Sequence, residues 1–503
     1  MGGNYYDVVV VGASPGPLCA GALLAKRGFR VLITGQNGYR NRYECAGYEF
    51  VKRPFLINGA SSPAVSRIIE ELSLGQLFSH AEIQSLIKYQ VVLPKHRVSV
   101  FGDRQKTLAE LEREFSKYTG SLHSILANIE SYSTDFKKLV HNDLVIPADN
   151  FFERRDFSRA VVQHPFLNHP RLDLWERLGI SGALRECLSA PMQHQTALAP
   201  LLPPLVAARG LAAWFTDTRY IRNGLDGFRR LVSERIVEYG GDVQPDYVAG
   251  HIGVSRGRVE RVQLRGRTES VATRVVLTDL YPSQLAQLVD PGEWTGQFRA
   301  QVEDQGAFAY GYALNLGVLT EVIPVGMADT VFVAPGYPGG SALRIEVSRQ
   351  PDASRTALNI SCAVPAALVN RIDSGALRDT ILDKARELIP YLDQYLEVIH
   401  SPFDGFGAID LTGSRTPGAS DALHPDQVPR WIIQPPVCFS GIGIENIPHR
   451  TGIKGLLMAG EQVNTALGVE SELISAWGAA KIVARMDPTR QRLVRAMRAK
   501  IEM

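Results

Sequence analysis

Two short stretches of this chain hold residue types that could do chemistry. The first is Gly12-Ala13-Ser14-Pro15-Gly16-Pro17, set between a β-branched run, Val8 to Val11, and an apolar segment. A glycine-rich turn that leads a strand into a helix aims free backbone N–H groups at an anion, usually a phosphate. The second is Gly460-Glu461, followed by Gly468-Val469-Glu470-Ser471-Glu472 at the head of another apolar segment. Glu470 and Glu472 read as first-turn acids that favour their own helix dipole. The alternative puts one of them beside a cofactor or a substrate. His164 and His169 each precede a proline, and their spacing suits neither a helical metal pair nor a zinc set. They read as turn histidines. Cys438, in Val-Cys-Phe-Ser, reads as core. No residue is assigned as catalytic.

The elements that must position the first stretch are clear. Tyr6 to Val11 has the continuous apolar character of a strand buried on both faces of a parallel sheet. Pro17 to Arg27 has helical spacing, Gly28 stops it, and Phe29 to Ile33 forms the next strand. Strand, turn, helix and strand make one βαβ unit. Such a unit binds a dinucleotide through G-x-G-x-x-G and an acid near the end of the second strand. Gly12 fills the first place. Ser14 and Pro17 stand in the other two, and Thr34-Gly35-Gln36 offers no acid.

The 503 residues allow two or more lobes with large cores. A formal charge of +2 gives no reason to expect nucleic acid as partner. Five scattered cysteines with no CxxC suit a reducing compartment, so the cytoplasm is expected. The first apolar run lacks the basic lead of a signal peptide. Ala197 to Phe215 is the most apolar stretch, but prolines, glycines and an arginine interrupt it. It reads as a loop plus a buried helix. A lip that dips into a membrane or roofs an apolar tunnel is the alternative.

Two further blocks complete a pattern: Asn223-Gly-Leu-Asp-Gly-Phe-Arg-Arg-Leu, and Gly455-Leu-Leu-Met-Ala-Gly-Glu-Gln-Val-Asn with Leu467-Gly-Val-Glu-Ser-Glu-Leu. With the N-terminal unit, in this order, they resemble the flavoprotein superfamily of phytoene desaturases and amine oxidases. The resemblance implies an α/β fold, with a Rossmann-like FAD/NAD(P)-binding domain built from discontinuous segments and an inserted α+β substrate domain. It implies nucleotide-binding segments at 1–100, 218–285 and 426–486, and a substrate domain from 101–217 and 286–425. It also implies FAD contacts at Gly12, Ala13, Ser14, Gly16, Pro17, Gly35, Arg42, Val248, Gly460, Glu461, Gly468 and Val469. Several of these depart from the family pattern. The turn is usually close to GAGPGG, the ribose-binding Glu falls on Gly35, and the family's GGR falls near Asn41-Arg42-Tyr43. A glycine further on has become Arg53, and the late Gly-Asp is Gly460-Glu461.

On this resemblance the expected function is that of an FAD-dependent oxidoreductase. It would be a desaturase, a dehydrogenase or a redox-neutral isomerase acting on an apolar, isoprenoid-like small molecule. The alternative is a flavin-free relative that serves as a binding or assembly subunit with a protein partner. A third reading has the nucleotide site refitted for another ligand. Residues 487–503 carry an apolar stripe (Leu493, Val494, Met497, Ile501) and a basic remainder. They read as a helix packed on its own protein, with peripheral contact to an anionic membrane as the alternative.

Overall fold

The computed structural model describes residues 5–36, 38–75, 87–162, 173–196, 202–221, 223–296, 298–300, 307–336, 341–369, 374–412, 431–433 and 441–487. The strand Tyr5–Val11 lies inside a seven-stranded sheet. It pairs in parallel with Val31–Thr34 on one side and with Ser270–Thr278 on the other. Val31–Thr34 pairs onward with Asp242–Gln244, and Ser270–Thr278 with Leu456–Met458, both in parallel. An antiparallel pair, Ala249–Ser255 and Arg258–Leu264, finishes one edge. Val8 to Val11 are fully buried, as a strand covered on both faces requires.

The helix Pro15–Lys26 connects the first two strands and is buried from Pro15 to Ala25. It packs between the helices Gly224–Glu238 and Val469–Met486. Gly16 lets the chain before the last helix come close, and Gly21 lets Val10 and Ile33 of the sheet do so. A Cβ on Gly16 would stand 2.4 Å from the Gly460 Cα. Pro15 sits at the first helical position, where its missing N–H costs nothing.

A second, nine-stranded and largely antiparallel sheet is built around Ala309–Leu319, which pairs along its whole length with Arg355–Pro365. The helices Leu122–His141, Gly182–Thr196 and Pro204–Thr216 form a third region, with Phe136 and Trp214 in its core. Pro204–Thr216 is the buried helix expected within Ala197 to Phe215, and residues 197–201 lie outside the described set. None of the described helices is long and apolar enough to cross a membrane. The architecture is the expected one, a discontinuous Rossmann-like lobe with an α+β lobe inserted.

Two segments sit elsewhere than their position in the chain suggested. The hairpin Ile87–Leu93 and His96–Phe101 joins the second sheet, because Gln90–Val92 pair with Val331–Val333. Trp431–Ile433 joins it too, against Ala309–Gly311. We therefore propose that the first nucleotide-lobe segment ends before residue 87 and that the last begins after 433.

Candidate functional site

The cradle at the head of the first helix has the expected backbone. Gly12 takes φ +120°, and a Cβ there would collide with Asp279. The Arg229 Nε donates to the Ala13 carbonyl at 2.7 Å and holds the turn from behind. The N–H groups that should face a phosphate point instead at carboxylates of the same chain. Ser14 N donates to Asp279 Oδ2 at 2.9 Å, and Gly16 N donates to Glu472 Oε2 at 3.1 Å. Glu461 is the third acid of this cluster.

The electrostatics reflect crowding of like charge. Burial raises the Asp279 carboxyl, opposed by the Ser14 hydrogen bonds and by Arg229. Burial also raises Glu461, opposed by the Arg53 charge. Burial and then the Glu461 charge push Glu472 up to about 8. Three carboxylates that cannot all ionise comfortably thus surround one helix N-terminus.

The far end of the expected dinucleotide site is closed in the same manner. A Cβ on Gly35 would lie 1.8 Å from the Pro245 carbonyl oxygen, so no side chain fits where the ribose-binding acid belongs. Gly35 N donates to Gln244 O and Gln36 N to Tyr247 O, while the Gln36 side chain accepts from Ala249 N. Val248 lies in this zipped loop, its carbonyl taken by Arg265 N. A dinucleotide diphosphate would have to displace Asp279 and Glu472 from the donors of the cradle. The residues present, as arranged, do not fit FAD.

The remaining expected contacts are near but do other work. Pro17 and Ser14 abut Gly460, which takes φ +93° and donates its N–H to Ser475 Oγ. Gly468 precedes the last helix against Gln195, and Val469 is buried in that helix. Glu470 does not serve its own helix dipole. It receives the Arg209 Nε at 2.9 and 3.1 Å, and Arg209 also reaches Asp217 at 3.2 Å. Asp279 was not singled out in the sequence. The signal was its place, one residue beyond the strand that returns to the core beside Gly12.

A cavity of about 570 Å³ lies beside Asn41 and Arg42. Asn41 N and Arg42 N both donate to the Asp226 carboxylate at 2.8 Å, which fixes this corner. Arg53 enters the cavity wall with its guanidinium 5.5 Å from the Trp431 ring. The floor is Asn315 and Asn359, directly opposed on neighbouring strands of the second sheet. His164, His169, Cys438 and residues 488–503 lie outside the described set. Among the described residues no group of three His, Cys, Asp or Glu could hold a metal ion.

Comparison with known proteins agrees with this architecture. No family model matches the chain. It is 24% identical over 305 residues to a 4,4'-diapophytoene desaturase (4,4'-diapolycopene-forming) of Methylomonas. That match covers 58% of this chain and spans 56% of the relative's length. Among solved structures, cyclohexylamine oxidase from Brevibacterium oxydans superposes with a TM-score of 0.56 at 12% identity, over 96% of this chain and 99% of the oxidase. The Rab GDI of Plasmodium falciparum superposes at 0.53 with 10% identity, over 95% and 98%. The chain has the fold of the phytoene desaturase/amine oxidase-like superfamily of FAD-binding oxidoreductases.

Proposed function

We propose that this chain is a flavin-free relative of the phytoene desaturase/amine oxidase-like oxidoreductases and works as a binding protein. One observation carries the reading: the N–H groups of the phosphate cradle are bonded to Asp279 and Glu472 of the chain itself. A helix N-terminus of this kind offers its N–H groups to an anion, and here side chains of the chain itself take them up. The fold does not require redox chemistry of its members, since function lives in sites and not in folds. A Rab GDI shares it with the oxidases. The working site is then the cavity beside Arg42, and the chain's own residues bind and orient a ligand there.

The similarity to a diapophytoene desaturase favours a second reading, an FAD-dependent oxidoreductase with an apolar, isoprenoid-type substrate. An absorption spectrum of the protein purified without added flavin, repeated after incubation with excess FAD, separates the two. The first reading expects no flavin bands in either spectrum. FAD released at close to one per chain on denaturation would establish the second and overturn the first.

A further inference from the structure

The cavity floor holds a hydrogen-bond chain. The Tyr43 hydroxyl and His400 Nδ1 share a hydrogen bond at 2.8 Å. The Tyr43 oxygen in turn accepts from Asn315 Nδ2 at 2.9 Å. Asn315 Oδ1 accepts from Asn359 Nδ2 at 2.9 Å, and both Nδ2 groups also donate to the Val51 carbonyl at 3.1 Å. Turning the Asn359 amide over would set its oxygen against two acceptors, so the network determines its orientation. Every member of the chain is satisfied except the last. Asn359 Oδ1 makes no hydrogen bond, although the residue is only 3% exposed and lines the cavity.

A buried acceptor without a partner costs about 1–3 kcal/mol. Arg42, which also lines the cavity, leaves its Nε without an acceptor while its Nη1 holds Glu49. One unused acceptor and one unused guanidinium donor therefore belong to residues that line the same cavity. The cavity is also lined by Val51, Phe55 and Ile221, by the basic Arg53 and Arg219, and on its other walls by acids such as Glu346. A hydrocarbon could satisfy the walls but neither polar group.

We propose that this cavity binds a small amphipathic acid that carries a hydroxyl or N–H donor near its carboxylate. The donor meets Asn359 Oδ1, the carboxylate meets Arg42 Nε, and the apolar body lies along Phe55 and Ile221. The proposal rests on the binding-protein reading for its importance but not for its geometry.

The test is calorimetric titration of the full chain with 3-hydroxydecanoate and, separately, with decanoate. A site built around an unused acceptor should prefer the hydroxylated acid by about ten-fold, the worth of one hydrogen bond. Asn359→Leu should erase that preference while decanoate binding persists. Arg42→Gln should weaken both acids, and it tests the site should the first variant fail to fold. Equal binding of the two acids, no binding of either, or a preference that survives Asn359→Leu overturns the proposal. Flavin content is measured on the same sample. A protein that carries FAD and still discriminates sinks the flavin-free reading and leaves this one standing.

Discussion

Glu470 and Glu472 stand two residues apart on one helical turn and lead opposite lives. Glu470, fully buried, is matched by the equally buried Arg209, which also reaches Asp217 and Ser133. Two acids share Arg209 there, with Lys137 3.9 Å from Asp217, and the network ties the helical region to the nucleotide lobe. Glu472 faces Gly16 N in the company of Glu461 and Asp279, and the cluster carries an excess of acid. Both acids are structural, but only the second occupies a place where the fold's relatives would hold a diphosphate. A motif read from one strand–turn–helix shows that donors exist. What those donors hold depends on residues hundreds of positions away.

The comparison breaks most visibly at Arg209. Arg209→Met would leave Glu470 buried without its countercharge and Asp217 with Lys137, 3.9 Å away. Loss of one partner of a buried ion pair costs about 3–5 kcal/mol. Urea unfolding should show a loss of that size, and a loss below about 1 kcal/mol would mean that the network is not the clamp described here.

The acid-rich side should respond to pH. Glu472 sits near 8 in the folded protein against an ordinary value of 4.5. The folded state therefore keeps a proton that the unfolded chain releases. That contribution to stability is complete below about pH 4.5 and is lost as pH rises through 8. Tm should fall across this window, and Glu472→Gln should flatten the decline. Glu470→Gln should flatten it less, because Arg209 opposes the upward push that burial gives Glu470. A Tm that rises between pH 5 and 8 in both the native protein and Glu472→Gln would refute the assignment.

Gly35 gives a smaller effect and a sharper lesson. Restoring the family acid by Gly35→Glu looks in sequence like repair of a ribose site. In the structure the new Cβ meets the Pro245 carbonyl at 1.8 Å. Overpacking of this kind costs about 1–3 kcal/mol, so the change should destabilise and bring no gain in FAD binding. A measured gain in FAD affinity would show that the loop 244–249 moves aside.

Much of the frame was legible because its signals are local. Val8 to Val11 read as a doubly covered strand and Gly28 as a helix stop, and both stand so. The site was less legible, because its decisive contacts cross the chain. Glu472 was read for its own helix dipole and serves another helix 456 residues away in sequence. Asp279 lies in a plain Thr-Asp-Leu and gains its role only when the strand before it is laid beside Gly12. Asn315 and Asn359 carry no motif, and strand register alone makes them a pair.

The finest test concerns Ser14. It stands at the N-cap of the first helix, where serine normally accepts a backbone N–H and its loss to alanine costs about 1 kcal/mol. Here its side chain makes no capping bond. The helix head is served by Asp279 and Glu472 instead. The backbone at Ser14 is extended, with φ −69° and ψ 161°, which alanine adopts freely. Ser14→Ala removes a buried hydroxyl that has no hydrogen-bond partner and should lower stability by no more than about 0.5 kcal/mol. Asp279→Ala strands the Ser14 N–H and should cost about 1–3 kcal/mol. If the order is reversed, serine and not the borrowed carboxylate caps this helix. The cradle would then be open to a phosphate after all.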